Sequence, residues 1–142
     1  MNRKSLEQIV SRMEHHLECW KQFNDYMGLA RNKKFGQEDE SQFLEIKCVL
    51  TQELELILAQ IENVPISREE VHTLIAAAPS IRYLSELNEG NLKTLENQWH
   101  KLFINWQAVL GQLKVRREDL DGQNFFGRVF GGASAKARPM DK

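Results

Sequence analysis

Residues 91–117 read NLKTLENQWHKLFINWQAVLGQLKVRR. Within them Leu92, Leu95, Trp99, Leu102, Phe103, Trp106, Val109, Leu110 and Leu113 recur every three or four positions, which places them on one face of an α-helix. No alternation of period two competes with that pattern, so the segment is a helix whose apolar stripe is long enough to anchor a core. Trp99 and Trp106 stand seven residues apart and fall within about 20° of each other on that face. Both are expected to be buried. Gly90 and Asn91 supply a stop and a cap ahead of the stripe. Lys114, Arg116 and Arg117 come at its end, where the helix dipole favours cations, and helix termination accounts for them without a ligand. A minor apolar stripe, Ile104, Ala108 and Val115, lies about 160° from the main face. Three such residues are ordinary on a protein surface, and a weak homodimer would use them.

The same spacing recurs upstream. Leu6, Ile9, Val10, Met13, Leu17, Trp20, Phe23 and Met27 predict a first helix over residues 5–31, capped by Ser5. Residues 32–41 are polar and charged and read as a connection. Phe43, Ile46, Leu50, Leu54, Ile57, Leu58 and Ile61 mark a second helix; Val49 and Leu56 make its apolar face wider than a coiled-coil seam, so it should touch more than one neighbour. Pro65 stops it. Ser67 followed by Glu70 is a capping box that opens a third helix containing Val71, Leu74 and Ile75. Pro79 then breaks that helix before Ile81, Tyr83, Leu84 and Leu87. Three long helices of similar length and one broken pass predict an all-α fold, an antiparallel up-down bundle of four helices with the third broken at Pro79. The bundle is expected over residues 1–117, followed by a Gly-rich basic tail over 118–142, flexible and mostly disordered. The run Leu95-x-x-x-Trp99-x-x-Leu102 resembles the last helix of a spectrin repeat. That likeness is confined to one helix, residues 67–88 depart from the three-helix spacing, and no family is assigned on it.

The 142 residues are 42% hydrophobic and 27% charged, the composition of one globular domain whose core can dispense with disulfides and structural metals. Nineteen basic residues against 20 acidic ones leave a formal charge of −1, which removes the bulk attraction to phosphate backbones that nonspecific nucleic-acid binding needs. Nucleic acid is therefore not an expected partner. Ser5 to Arg12 is not an apolar signal-peptide core, no run of apolar residues predicts a membrane span, and the expected compartment is cytoplasmic.

Metal-capable residues cluster at His15, His16 and Cys19, with His15 and Cys19 on one side of the first helix. At about 100° per residue these two fall about 180° and 220° from Leu6, against an apolar face centred near 320°. Both are expected to face solvent, and the histidines, His16 among them, are expected to be surface residues rather than ligands. Third and fourth ligands are missing, so no metal and no cofactor is expected. Cys19 and Cys48 could stand level on antiparallel helices, yet Cys48 projects about 160° from its helix's apolar face, and two free thiols are expected rather than a disulfide. Glu38, Asp39 and Glu40 read as a solvated loop. Gly122 and Gly127 precede Arg128 and Val129, where a phosphate-binding loop needs Lys and then Ser or Thr. Glu53 falls between Val49, Leu50 and Ile57 and is expected to be half-buried, paired with Lys101 or a histidine. No nucleophile–base triad and no Glu-x-x-His pair is legible, so no catalytic residue is assigned.

These absences, the wide face of the second helix and the character of the tail point to a non-enzymatic helical-bundle interaction module of adaptor, assembly-factor or small-chaperone type, with another protein as its partner. The alternative is a small metal-dependent sensor or enzyme built inside the bundle. The candidate partner-binding residues are Phe125, Phe126, Val129 and Phe130, an aromatic cluster that a purely solvating tail has no reason to carry. Arg128, Lys136, Arg138 and Lys142 would steer the encounter. The competing expectation folds the cluster back over an end of the bundle.

Overall fold

The computed structural model describes the backbone of residues 2–137 and the side chains of residues 2–122. Five helices follow one another: α1 (Arg3–Asn32), α2 (Gln37–Gln60), α3 (Arg68–Ala76), α4 (Ile81–Ser85) and α5 (Glu89–Ala137). No strand occurs among the described residues, so the fold is all-α as the spacing predicts. Side-chain pairs fix the directions. Tyr26 meets Gln42 and His15 meets Glu53, so α2 runs antiparallel to α1. Arg31 meets Glu89 while Glu14 meets Lys114, so α5 does too. Lys47 reaches Ala78 and Glu55 reaches Arg68, which makes α3 and α4 a single return pass along α2, interrupted at Pro79.

α1 packs against α2, α4 and α5, and α3 packs against α2 and α5. With neighbours on several sides, α1 buries more than its predicted stripe: all eight stripe residues, and also His16, Cys19 and Ala30. α5 buries Leu92, Leu95, Trp99, Leu102, Trp106, Val109, Leu110 and Leu113, with Phe103 partly covered. Ile104 and Val115 are exposed, as their angle on α5 implies. α2 buries Phe43, Leu50, Leu54 and Ile57 and leaves Leu44 and Leu56 open.

The helix ends correct the sequence reading. Asn2 rather than Ser5 caps α1, its side chain accepting from the Ser5 amide at 2.8 Å. Glu38, Asp39 and Glu40 form the first turn of α2 rather than a loop, where carboxylates meet the positive end of the dipole. Asn88 rather than Asn91 caps α5 by accepting from the Asn91 amide at 2.8 Å, and Gly90 sits inside the first turn. Nor does α5 end at Lys114 to Arg117. Cations favour a helix end without enforcing one, and Arg3 of α1 pairs with Asp121 further along.

The break at Pro79 is held from α2. The Lys47 ammonium donates to the carbonyls of Ala78 at 2.9 Å and Pro79 at 2.8 Å, although burial pushes its pKa down. Two turns back, the Glu40 carboxylate accepts from the amides of Ile81 at 2.8 Å and Arg82 at 2.9 Å. The orphan carbonyls and the orphan amides of the broken pass each receive a side chain of the opposite charge. Lys47→Met keeps the apolar stem and removes the donor, so it is expected to cost about 1.5–3 kcal/mol in urea unfolding. An unchanged midpoint would mean that the break stands without it.

At the far end of α1, Arg31 donates to Glu96 and Glu89 of α5. Hydrogen bonding to Arg31 holds the Glu96 carboxyl below the ordinary carboxylate range, against the opposing effect of its partial burial. A carboxyl depressed in the folded state contributes stability above its unfolded pKa and loses it as pH falls through and below that range. For this half-exposed pair the effect should stay below about 1 kcal/mol, and Arg31→Met should remove it, leaving a flatter loss of stability between neutral and acid pH.

Candidate functional site

The side chains of Phe125, Phe126, Val129 and Phe130 lie outside the described residues. Inside them, polar chemistry converges at one place, between the middle of α1 and the middle of α2. Glu53 of α2 holds two histidines of α1: His15 Nδ1 lies 2.7 Å from Oε2 and His16 Nδ1 3.2 Å from Oε1. The Trp20 indole N–H donates to His16 Nε2 at 3.0 Å. An indole nitrogen can only donate, so His16 Nε2 must accept and the ring carries its proton on Nδ1, aimed at Glu53. Glu53 in turn accepts from His15 Nδ1, which leaves His15 Nε2 directed toward Cys19, 3.9 Å from its Sγ. One helical turn separates His15 from Cys19 and another separates His16 from Trp20, so a single regular helix supplies four of the five groups.

This corrects two expectations. His16 is fully buried, not a surface residue, and its ring stands edge-on to Trp106 at 4.7 Å between centroids. Cys19 is buried as well, while Cys48 is exposed as its angle implied; both are free thiols. The partners of Glu53 are histidines and not Lys101. A signal for His16 was present in the sequence, because it falls only about 40° from the centre of α1's apolar face. The spacing on α2 singled out Glu53 as half-buried with a histidine among its possible mates, as the structure shows; which histidines it holds follows from the antiparallel register of α1 and α2.

Burial alone would raise the Glu53 pKa, but hydrogen bonds from His16 and His15 outweigh it and hold the carboxyl below its ordinary value. Burial pushes the Cys19 thiol up to about 11, with the charges of Glu53 and Glu18 adding to the rise. The order Cys19, His15, Glu53 is that of a nucleophile, its base and an orienting carboxylate, an arrangement the sequence did not reveal. The setting argues against acyl transfer. A thiol held in its protonated form is a poor nucleophile, and Cys19 sits in the interior of α1, where backbone amides are committed to the helix and cannot form an oxyanion hole. The adjoining surface cleft is lined by Gln8, Ser11, Arg12, His15, Glu53 and Gln60 and does not reach Cys19.

A second feature lies on the outer side of α2. Leu44, 59% exposed, Cys48 and Leu56, 47% exposed, line a shallow apolar groove flanked by Ile75 of α3. The α2 segment carries six carboxylates and one lysine, and the ammonium of that lysine, Lys47, is taken up by Ala78 and Pro79. Several of the carboxylates are taken up as well, Glu53 by the histidines of α1, Glu40 by the Ile81 and Arg82 amides, and Glu55, which lines the groove, by Arg68, so the apolar floor is what distinguishes the groove. Among the described residues no helix is long and apolar enough to cross a membrane. Compared with protein families, with curated proteins and with solved structures, the chain matches none.

Proposed function

We propose that the protein is a non-enzymatic interaction module that takes an amphipathic helix of another protein into the groove along α2. The observation that carries this reading is the run of open apolar side chains, Leu44, Cys48 and Leu56, on a helix already committed to the core through its other face. An apolar strip at helical spacing fits the apolar face of a partner helix laid along it. Phe125, Phe126, Val129 and Phe130 are proposed as a second contact, a docking segment that enters a groove on the partner.

The test uses a photo-reactive residue at position 56 in the full chain, with crosslinked peptides identified by mass spectrometry. The expected adduct is a peptide from an amphipathic helix of a different protein, absent when Leu44 and Leu56 are both replaced by Lys. Because both side chains are exposed, that double variant should melt within about 2 °C of the parent. Crosslinking only to a second copy of this chain, or partner capture that survives both lysines, would overturn the reading. Deleting residues 122–142 should leave the melting temperature unchanged and weaken capture; a lowered melting temperature would instead identify the segment as a cap on the bundle.

A further inference from the structure

We propose that His15 and Cys19 bind a single zinc-class divalent cation on the surface of α1, with Glu53 as the outer carboxylate that orients His15. The inference is independent of the docking groove, which lies on another part of α2. One helical turn brings His15 and Cys19 together on α1, and the antiparallel α2 brings Glu53 beside them. A nitrogen of His15, the Cys19 sulfur and a Glu53 carboxylate oxygen all lie within 4.8 Å of one another. On a tetrahedral zinc, a sulfur at about 2.3 Å and a nitrogen at about 2.05 Å stand roughly 3.6 Å apart. The observed 3.9 Å between Cys19 Sγ and His15 Nε2 is within a few tenths of an ångström of that.

The surrounding bonds prepare the right lone pair. Histidines that ligate metals usually donate their other ring N–H to a carboxylate or carbonyl, which fixes the tautomer and the ring plane. His15 Nδ1 does so to Glu53 Oε2 at 2.7 Å, leaving Nε2 free to bind. Glu53 is itself immobilised through Oε1 by His16, and His16 by the Trp20 indole. The whole series runs from a buried tryptophan out to its most exposed member, the His15 side chain, which is 60% exposed. His16 has both nitrogens occupied and is not a ligand.

Charge also balances. As the metal–sulfur bond forms, the Cys19 thiol proton leaves to the buffer, and thiolate plus Glu53 carboxylate neutralise a dication. Arg12, on the rim of the adjoining cleft, is the opposing charge there. A nitrogen–sulfur pair selects zinc and its neighbours over calcium or magnesium. Two protein ligands leave positions for water, so the site is an open one.

The test uses untagged full-length protein, stripped with a chelator and titrated with Co2+ and then Zn2+. One equivalent of Co2+ should give thiolate-to-metal charge-transfer absorption that Zn2+ abolishes. Cys19→Ser and His15→Ala should each remove the absorption, Cys48→Ser should leave it unchanged, and Glu53→Gln should weaken affinity by about 10- to 100-fold. His15 is exposed, so His15→Ala, checked by circular dichroism, remains decisive if Cys19→Ser fails to fold. No charge-transfer absorption in the parent protein, or absorption that survives His15→Ala or is lost only with Cys48→Ser, would overturn the proposal.

Discussion

Trp106→Ala is expected to lower the unfolding free energy by about 3–5 kcal/mol, a large share of what holds a domain of this size folded. The ring is fully buried on α5, where it meets His16 of α1 edge-on. Removing it opens a cavity where α1 and α5 pack together, which the stiff neighbours can close only in part. The two tryptophans of that stripe are not equivalent. Trp99 donates its indole N–H to the Trp20 carbonyl at 2.8 Å, whereas the Trp106 nitrogen has no hydrogen-bond partner among the described residues. Trp99→Phe therefore gives up a bond, while Trp106→Phe also relieves an unpartnered donor, and the second should be cheaper by about 1 kcal/mol. Urea midpoints with equal slopes measure both. A loss below about 1 kcal/mol for Trp106→Ala would mean that the α5 stripe does not anchor the core.

The second large effect is expected at His16. His16→Leu keeps the volume and the apolar packing but strands the Trp20 indole N–H and removes one of the two histidines that hold Glu53. A buried donor left unpaired and a half-buried carboxylate left half-satisfied should together cost about 3 kcal/mol. The adjacent His15→Ala makes the contrast, because that side chain is mostly exposed and the Glu53 oxygen it vacates opens on the surface cleft, where water replaces the lost donor, so its loss should stay below about 1 kcal/mol. Equal losses at the two positions would show that the bonds among these groups do not divide into a buried support and an exposed end.

Periodicity made the helices and most of the core legible. The stripes of α1 and α5 needed only the position of each residue on its own helix, because a buried face is a property of one element. The pass from Ser67 to Leu87 was legible for a different reason: Ser67 and Pro79 act on the backbone within a residue or two of themselves. Helix ends were read less well. Asn2 and Asn88 beat Ser5 and Asn91 as caps through choices one turn away, and Glu38 to Glu40 look like loop residues unless their place at the positive end of a dipole is known.

The polar site was legible in its members but not in its assembly, and the reason is geometric. His15, His16 and Cys19 stood out as a cluster, but what organises them is Glu53, brought over by the antiparallel register of α2, and Trp20, which sequence reading assigns to the core for its size alone. Burial of Cys19 follows from α1 having neighbours on several sides, which no single-helix projection contains. Lys47 and Glu40 were missed in the same way, since each acts on the backbone of a segment more than 30 residues away.

The arrangement of the site rests on one proton, the one that the Trp20 indole forces onto His16 Nδ1. Long-range nitrogen-15 correlation spectra of the histidine rings at neutral pH read its position directly. The arrangement requires a protonated Nδ1 on His16, with an acceptor-type Nε2 whose shift changes when Trp20 is replaced by Phe. A protonated Nε2 and a bare Nδ1 on His16 would contradict it, because Glu53 would then face a lone pair and would have nothing to fix it against His15.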